Sequence, residues 1–200
     1  LTYISEGKSV GTKTVTYDQA YGDLLVPTRT GYNFSGWYKE EAYTNKVEAT
    51  TIVKTASNHN VYAKWEAQKY TVTYNANGGT GAPGSQEKVY GQTLKLSTTV
   101  PTRTGYTFKG WGLTASATTI AYQAGATMSE TAITKDTVLY AVWKANTYTI
   151  EYDGNGATGG STASSSHTYN VVKALTANGY ERKYTVTYNY NYTGSTSKGV

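Results

Sequence analysis

An eleven-residue segment occurs twice in this chain, and a chain that repeats itself at such a spacing folds as a series of small units that stack or string together. Pro27–Trp37 returns as Pro101–Trp111, differing only where Asn33 becomes Thr107 and Ser35 becomes Lys109. Upstream, Tyr21-Gly22 is matched to Tyr90-Gly91. Downstream, Val61-Tyr62-Ala63-Lys64-Trp65 is matched to Leu139-Tyr140-Ala141-Val142-Trp143. The second pair of Trp residues is 32 apart (143 − 111) against 28 (65 − 37) for the first, so the second copy carries four extra residues. A lengthened loop around Ala115 to Ala126 is the expected place for them. A third copy starts and then diverges. Tyr148 to Gly156 echoes Tyr70 to Gly78, and Asn178-Gly179-Tyr180 stands where Thr104-Gly105-Tyr106 would fall, but no Phe-x-Gly-Trp follows. The expected division is residues 1–67, residues 68–145, and a partial or divergent third repeat with the start of a further module over 146–200. Short linkers are expected near Ala67-Gln68-Lys69 and Ala145-Asn146.

What fills such small units follows from the aromatic residues: 21 Tyr and 4 Trp against 2 Phe, among many Thr, Ser, Gly and Asn. Aromatic and β-branched residues suit a pleated, half-buried surface, and strong helix formers are sparse, so the expected class is mainly β. There is no Cys, which removes disulfides, thiolate metal sites and cysteine nucleophiles together. Units of this size must then be held by aromatic packing. The net charge of +5 is spread over single basic residues, with only Arg182-Lys183 adjoining. No stripe exists to follow a phosphate backbone, so nucleic acid is not an expected partner. No apolar run is long enough to insert directly into a membrane, and Leu1 does not open a signal peptide, so the chain reads as an interior piece of a longer one.

Alternation locates the strands. Tyr70, Val72 and Tyr74 share one face and Thr71 and Thr73 the other, the period-two pattern of a half-buried strand. Lys13 to Tyr17, Tyr148 to Tyr152 and Tyr184 to Tyr188 read the same way. Asn77-Gly78-Gly79 and Asn155-Gly156 offer the positive φ of tight hairpin turns. Gly36 and Gly110, each just before a Trp, suggest a bulge that re-aims the indole inward. At most one short helix per unit has room to form.

Weighed as sites, the recurring aromatics read first as structural core: Tyr32, Phe34, Trp37 and Trp65 in one copy, Tyr106, Phe108, Trp111 and Trp143 in the next. The surplus Tyr38, Tyr43 and Tyr122 are the better candidates for ligand contact. Gly154 to Gly159 matches a dinucleotide-binding glycine pattern, but a flexible Ser-rich segment follows instead of a helix N-terminus. Asp153-Gly154-Asn155 opens like a calcium loop and ends on Ser164 rather than Glu. His59 and His167 lie in polar sequence without a recurring partner, and Glu40-Glu41 is replaced by Thr114-Ala115 in the second copy. No catalytic, metal or cofactor site is expected. The alternation from Tyr184 to Thr193 gives an aromatic edge open to self-association.

Arg-Thr-Gly-Tyr-x-Phe-x-Gly-Trp followed by Tyr-Ala-x-Trp, present twice in order, resembles the Listeria–Bacteroides repeat, or internalin-type B repeat, of bacterial surface proteins. The resemblance spans 1–67 and 68–145, and weakly 146–180. It implies a β-grasp-like (α+β) unit strung in tandem in an extended arrangement, serving as a stalk, spacer or adhesin element of an extracellular protein that is secreted or held at the cell wall. The partner implied is a host or bacterial surface protein or glycan. A carbohydrate-binding module of a larger secreted enzyme and a structural fibre subunit are the alternatives.

Overall fold

The computed structural model describes residues 1–187, in two compact units, Leu1–Lys144 and Ala145–Val200. The first holds two similar β-sheets. Strands β1 (Thr2–Ser5), β2 (Lys8–Thr12), β3 (Tyr32–Tyr38), β4 (Lys46–Val47) and β5 (Asn60–Ala67) form a sheet of order β2-β1-β5-β3-β4. Strand β1 runs parallel to β5, and the other pairs are antiparallel. The second copy repeats the plan with β6 (Lys69–Asn75), β7 (Gln86–Val89), β9 (Tyr106–Gly112) and β11 (Thr137–Ala145) in the order β7-β6-β11-β9. Two short strands, β8 (Leu94–Lys95) and β10 (Thr127–Met128), pair beside it.

No helix occurs among the described residues, so the chain is mainly β and the α component expected of an α+β unit is not formed. The long connection from β7 to β9 shows why. It carries Thr98-Thr99-Val100-Pro101, a β-branched run closed by a proline; in a helix such residues lose side-chain freedom and the proline lacks a backbone donor.

Each sheet encloses its own core. Tyr3, Tyr21, Trp37, Val47, Val53, Val61 and Ala63 are buried in the first copy, and Val72, Tyr74, Leu96, Trp111, Met128, Ile133, Leu139 and Ala141 in the second. The alternation read in Tyr70 to Tyr74 places Val72 and Tyr74 inside and the two Thr outside. The bulge expected before Trp37 is present: the β3–β5 register shifts between Phe34 and Gly36, and Gly36 has φ 132°. Gly110 repeats this with φ 147°, and a Cβ there would lie 2.5 Å from Ile120 Cγ2.

Pairing registers correct three expectations: one alignment, the place of the extra residues and one strand. Tyr3 faces Val61 in the parallel pair as Tyr74 faces Leu139, so Tyr3 and Tyr74 are counterparts. Leu1 exchanges both backbone bonds with Lys13, whose counterpart is therefore Gln86, the partner of Val72. It follows that Tyr90 corresponds to Tyr17, not Tyr21. Tyr21 corresponds to Leu96, each bonding back to the opposite strand at Thr51 and Ala126 and each buried in its core. The extra residues also shift. Val53 to Val61 is 8 residues (61 − 53) and Met128 to Leu139 is 11 (139 − 128), so three of the four lie after Met128. Finally, Lys13–Thr16 is not a strand although it alternates; within it Lys13 bonds across, to Leu1.

In the second unit, β12 (Thr147–Ile150) pairs with β14 (Ser165–Thr168), and β13 (Gly159–Gly160) with β15 (Tyr180–Glu181). The strand expected at Tyr148 to Tyr152 is thus shorter, and Tyr148 is exposed. Asn155 (φ 44°) repeats the turn of Asn77 (φ 48°), each amide donating to the Asx side chain two residues before it, Asp153 and Asn75. Tyr184 to Thr187 is exposed and not a strand; the rest of the edge expected to Thr193 lies outside the described residues.

Candidate functional site

The aromatic residues form one arrangement built twice. In the first copy the Tyr3 and Trp37 rings are 4.7 Å apart, Phe34 and Trp37 5.3 Å, and Phe34 and Trp65 5.4 Å. The second copy has Tyr74–Trp111 at 4.8 Å, Phe108–Trp111 at 5.0 Å and Phe108–Trp143 at 5.8 Å. These tilted and edge-on contacts each add about 0.5–1.5 kcal/mol beyond area burial. Trp37 and Trp111 are 1 % and 0 % exposed and sit at the centres; Phe34, Trp65, Phe108 and Trp143 are half-buried flanks. Trp65 Nε1 donates to Ser5 Oγ, and Trp143 Nε1 to the carbonyls of Ala76 and Asn77, so both flanking indoles are pinned by their polar edge. Tyr32 and Tyr106 are also half-buried, each beneath a guanidinium, Arg29 at 3.7 Å and Arg103 at 4.0 Å.

The two copies meet at a built joint. Only Gln68 separates β5 from β6, and its amide donates to Gly31 O while its carbonyl accepts from the Tyr90 amide. The Gln68 side chain bonds Asn33 Oδ1 and accepts from the Tyr70 hydroxyl. The Tyr90 ring packs edge-on to Tyr32 at 5.6 Å. Instead of a linker spanning Ala67-Gln68-Lys69, a single residue is held on four sides.

The three ligand-contact candidates do not form one site. Tyr38 is the last residue of β3 rather than a loop residue, and it stacks edge-on with Tyr43 at 5.6 Å beneath Lys64 Nζ. Tyr43 is 39 % exposed with φ 56°. Tyr122 belongs to the other copy, half-buried against its core and bridged to Trp111. It lines an open groove of about 530 Å³ with Leu113, Ile133 and Tyr140. A second groove, about 640 Å³, lies between Lys13–Val15 and Thr55–His59.

Groups with acid–base chemistry serve local structure. His59 Nε2 meets the buried Tyr21 hydroxyl at 2.8 Å, and burial raises that phenol above its ordinary pKa. The Glu40 carboxylate closes its own loop through Asn45 and Thr44, and the Asn45 side-chain bond holds its pKa down. One pairing escaped sequence reading. Ser165 Oγ is 2.8 Å from His167 Nε2, since residues two apart on β14 share a face, and the Tyr152 hydroxyl is 2.9 Å from the same oxygen. Hydrogen bonding to Ser165 lowers the Tyr152 pKa. Among the described residues no carboxylate orients that imidazole, so the contact lacks the third member a nucleophilic pair requires. No group of three or more His, Asp or Glu able to hold a metal occurs among the described residues.

A pair of all-β units with the same aromatic centre defines a repeat protein. The chain belongs to the Listeria-Bacteroides repeat domain family, whose model matches residues 1–64 and 70–142. It is 31 % identical over 156 residues to a protein of Evansella cellulosilytica with a membrane-protein description, covering 74 % of this chain and 21 % of that protein. A second protein of that organism, with a Gly-rich membrane-protein description, is 30 % identical over 150 residues, 75 % of this chain and 16 % of that protein. Internalin H of Listeria monocytogenes is 32 % identical over 98 residues, 49 % of this chain and 17 % of that protein. The chain therefore spans a fifth or less of the length of these relatives, to within one per cent. No solved structure matches. Family membership makes this a non-catalytic, surface-associated repeat segment.

Proposed function

We propose that the segment acts as a stalk or spacer in an extracellular bacterial protein, secreted or held at the cell wall, with weak adhesive contacts on its loops that repetition multiplies. The observation that carries this reading is the joint at Gln68. A spacer sets distance only if its units keep their mutual orientation, and here one hydrogen-bonded residue with Tyr90 packed on Tyr32 replaces a flexible linker. The strand order β2-β1-β5-β3, with β1 parallel to β5, supports the β-grasp reading of each unit, a loop standing where that fold carries its helix. Exposed Tyr43 beside Tyr38 is the surface best suited to stack on a sugar or a partner side chain.

Because the chain has no Cys, spin labels are readily placed by Lys39→Cys and Lys109→Cys, both at exposed positions of separate copies. The distance distribution between them is narrow if the joint is rigid, and four Gly-Ser residues inserted after Gln68 broaden it. A distribution already broad in the unaltered joint overturns the spacer reading.

A further inference from the structure

The two copies differ on the outer face of their sheets, opposite the Trp centres, where the bulge glycine leaves a hollow. In the second copy its own loop closes that face: a Cβ on Gly110 would lie 2.5 Å from Ile120 Cγ2, and one on Gly112 2.5 Å from Ala117 Cβ. Val142 beside them is buried. The matching residues of the first copy are Gly36, Tyr38 and Lys64, and there the face stays open, Tyr38 and Lys64 being half-buried. Gly36 pairs with Lys64, and a Cβ on it would lie 2.8 Å from Lys46 Cε, so two lysines stand where Val142 and Ile120 stand in the other copy. The registers set Ile4, Tyr62, Tyr38 and Lys46 in one row across four strands. Tyr43 rests edge-on against Tyr38 at 5.6 Å, and Lys64 Nζ is 5.4 Å from the Tyr38 ring centre. The nearby carboxylates are engaged, Glu48 with Lys46 and Glu40 with Asn45 and Thr44, whereas Lys64 has no ion pair among the described residues.

We propose that this face of the first copy binds an acidic polysaccharide of the uronic-acid type, with the sugar ring stacked on Tyr43 and its carboxylate over Gly36, drawn there by Lys64 and Lys46. An unpaired ammonium held over an aromatic row fits an anion carried on a ring, and a phenol offers the apolar face such a ring needs. Neighbouring repeats leave the site clear. The repeat ahead of the second copy meets it at Gln68 and Tyr90, on β6 and after β7, two strands away from Gly112 on β9. The repeat behind the first copy meets it at Gly31 and Tyr32, roughly 20 Å along β3 from Tyr38. This deepens the adhesive part of the surface reading and places it on one copy; the rigid joint is tested apart from it by the spin labels.

The test titrates the 200-residue chain with hyaluronan hexasaccharide, which carries uronates, and with neutral chitin hexasaccharide, following backbone amides by NMR. Hyaluronan shifts the amides of Tyr38, Tyr43 and Lys64 and leaves Gly112 and Val142 in place, and it binds roughly tenfold or more tightly than the chitin oligomer. Lys64→Gln removes most of that preference, and Tyr43→Asn, which tolerates the positive φ, weakens both sugars. No shift at Tyr38, Tyr43 and Lys64, or equal binding of the two hexasaccharides, overturns the proposal without recourse to the variants. Inorganic phosphate that displaces hyaluronan at equal concentration overturns the sugar and leaves a plain anion site.

Discussion

The ring of Tyr90 occupies the space that a side chain on Gly31 would need: a Cβ built there lies 2.2 Å from Tyr90 Cδ1. Gly31 also has φ 77°, so the joint between the copies uses both its missing side chain and its backbone freedom. Gly31→Ala is expected to destabilise the chain by about 2–4 kcal/mol, from the strained backbone and the displaced ring together. Gly81→Ala, with φ 76° and nothing within 4 Å, supplies the backbone part alone. Urea unfolding of both variants checks this, with the difference between them measuring the joint.

The two central indoles are bonded differently. Trp37 Nε1 donates to Leu25 O at 2.6 Å, whereas Trp111 Nε1 is buried without an acceptor. Replacing either by Phe removes similar apolar contact, but Trp37→Phe also strands the Leu25 carbonyl. It is expected to cost about 1–2 kcal/mol more than Trp111→Phe in the same unfolding measurement.

Lys88, 1 % exposed, stands in the core of the second copy, where its ammonium donates to the carbonyls of Val89, Gln92 and Glu130. Lys88→Met fits the apolar volume and leaves three carbonyls without their donor, so it is expected to destabilise by about 1–3 kcal/mol in thermal or urea unfolding.

Alkaline pH should weaken the fold. Burial raises the phenol pKa of Tyr3, Tyr21 and Tyr74, so the unfolded chain ionises first and stability is lost as pH rises above about 10. Burial lowers the Lys88 pKa, partly offset by Glu130, which makes its contribution opposite: its penalty is relieved as pH rises through the folded value towards the unfolded one. The Tyr152 phenol, its pKa lowered chiefly by the Ser165 bond, also opposes the loss, and three buried phenols against these two groups give a net fall. Lys88→Met should steepen it, as melting temperatures between pH 9 and 11 would show.

What could be read from the sequence was whatever period and repetition encode. The alternation of Tyr70 to Tyr74, the bulge glycine before each Trp and the interior placing of the two central indoles needed only nearest-neighbour geometry. Register was less legible. Matching Tyr21-Gly22 to Tyr90-Gly91 used identity of letters, whereas the sheet registers make Tyr17 the counterpart of Tyr90, because register depends on which backbone groups meet across strands. Lys13–Tyr17 alternates as well as any strand, and no pattern within it reports whether a partner lies alongside. The joint was hidden for the same reason: Gln68 is unremarkable until Gly31, Asn33, Tyr70 and Tyr90 close around it.

The most direct test of a rigid joint is ¹⁵N relaxation of the 200-residue chain. Backbone order parameters of about 0.85 are expected for Ala67, Gln68 and Lys69, equal to those of β5 and β6 on either side. Values below about 0.6 at Gln68 would contradict a rigid joint and make residues 67–69 a flexible linker.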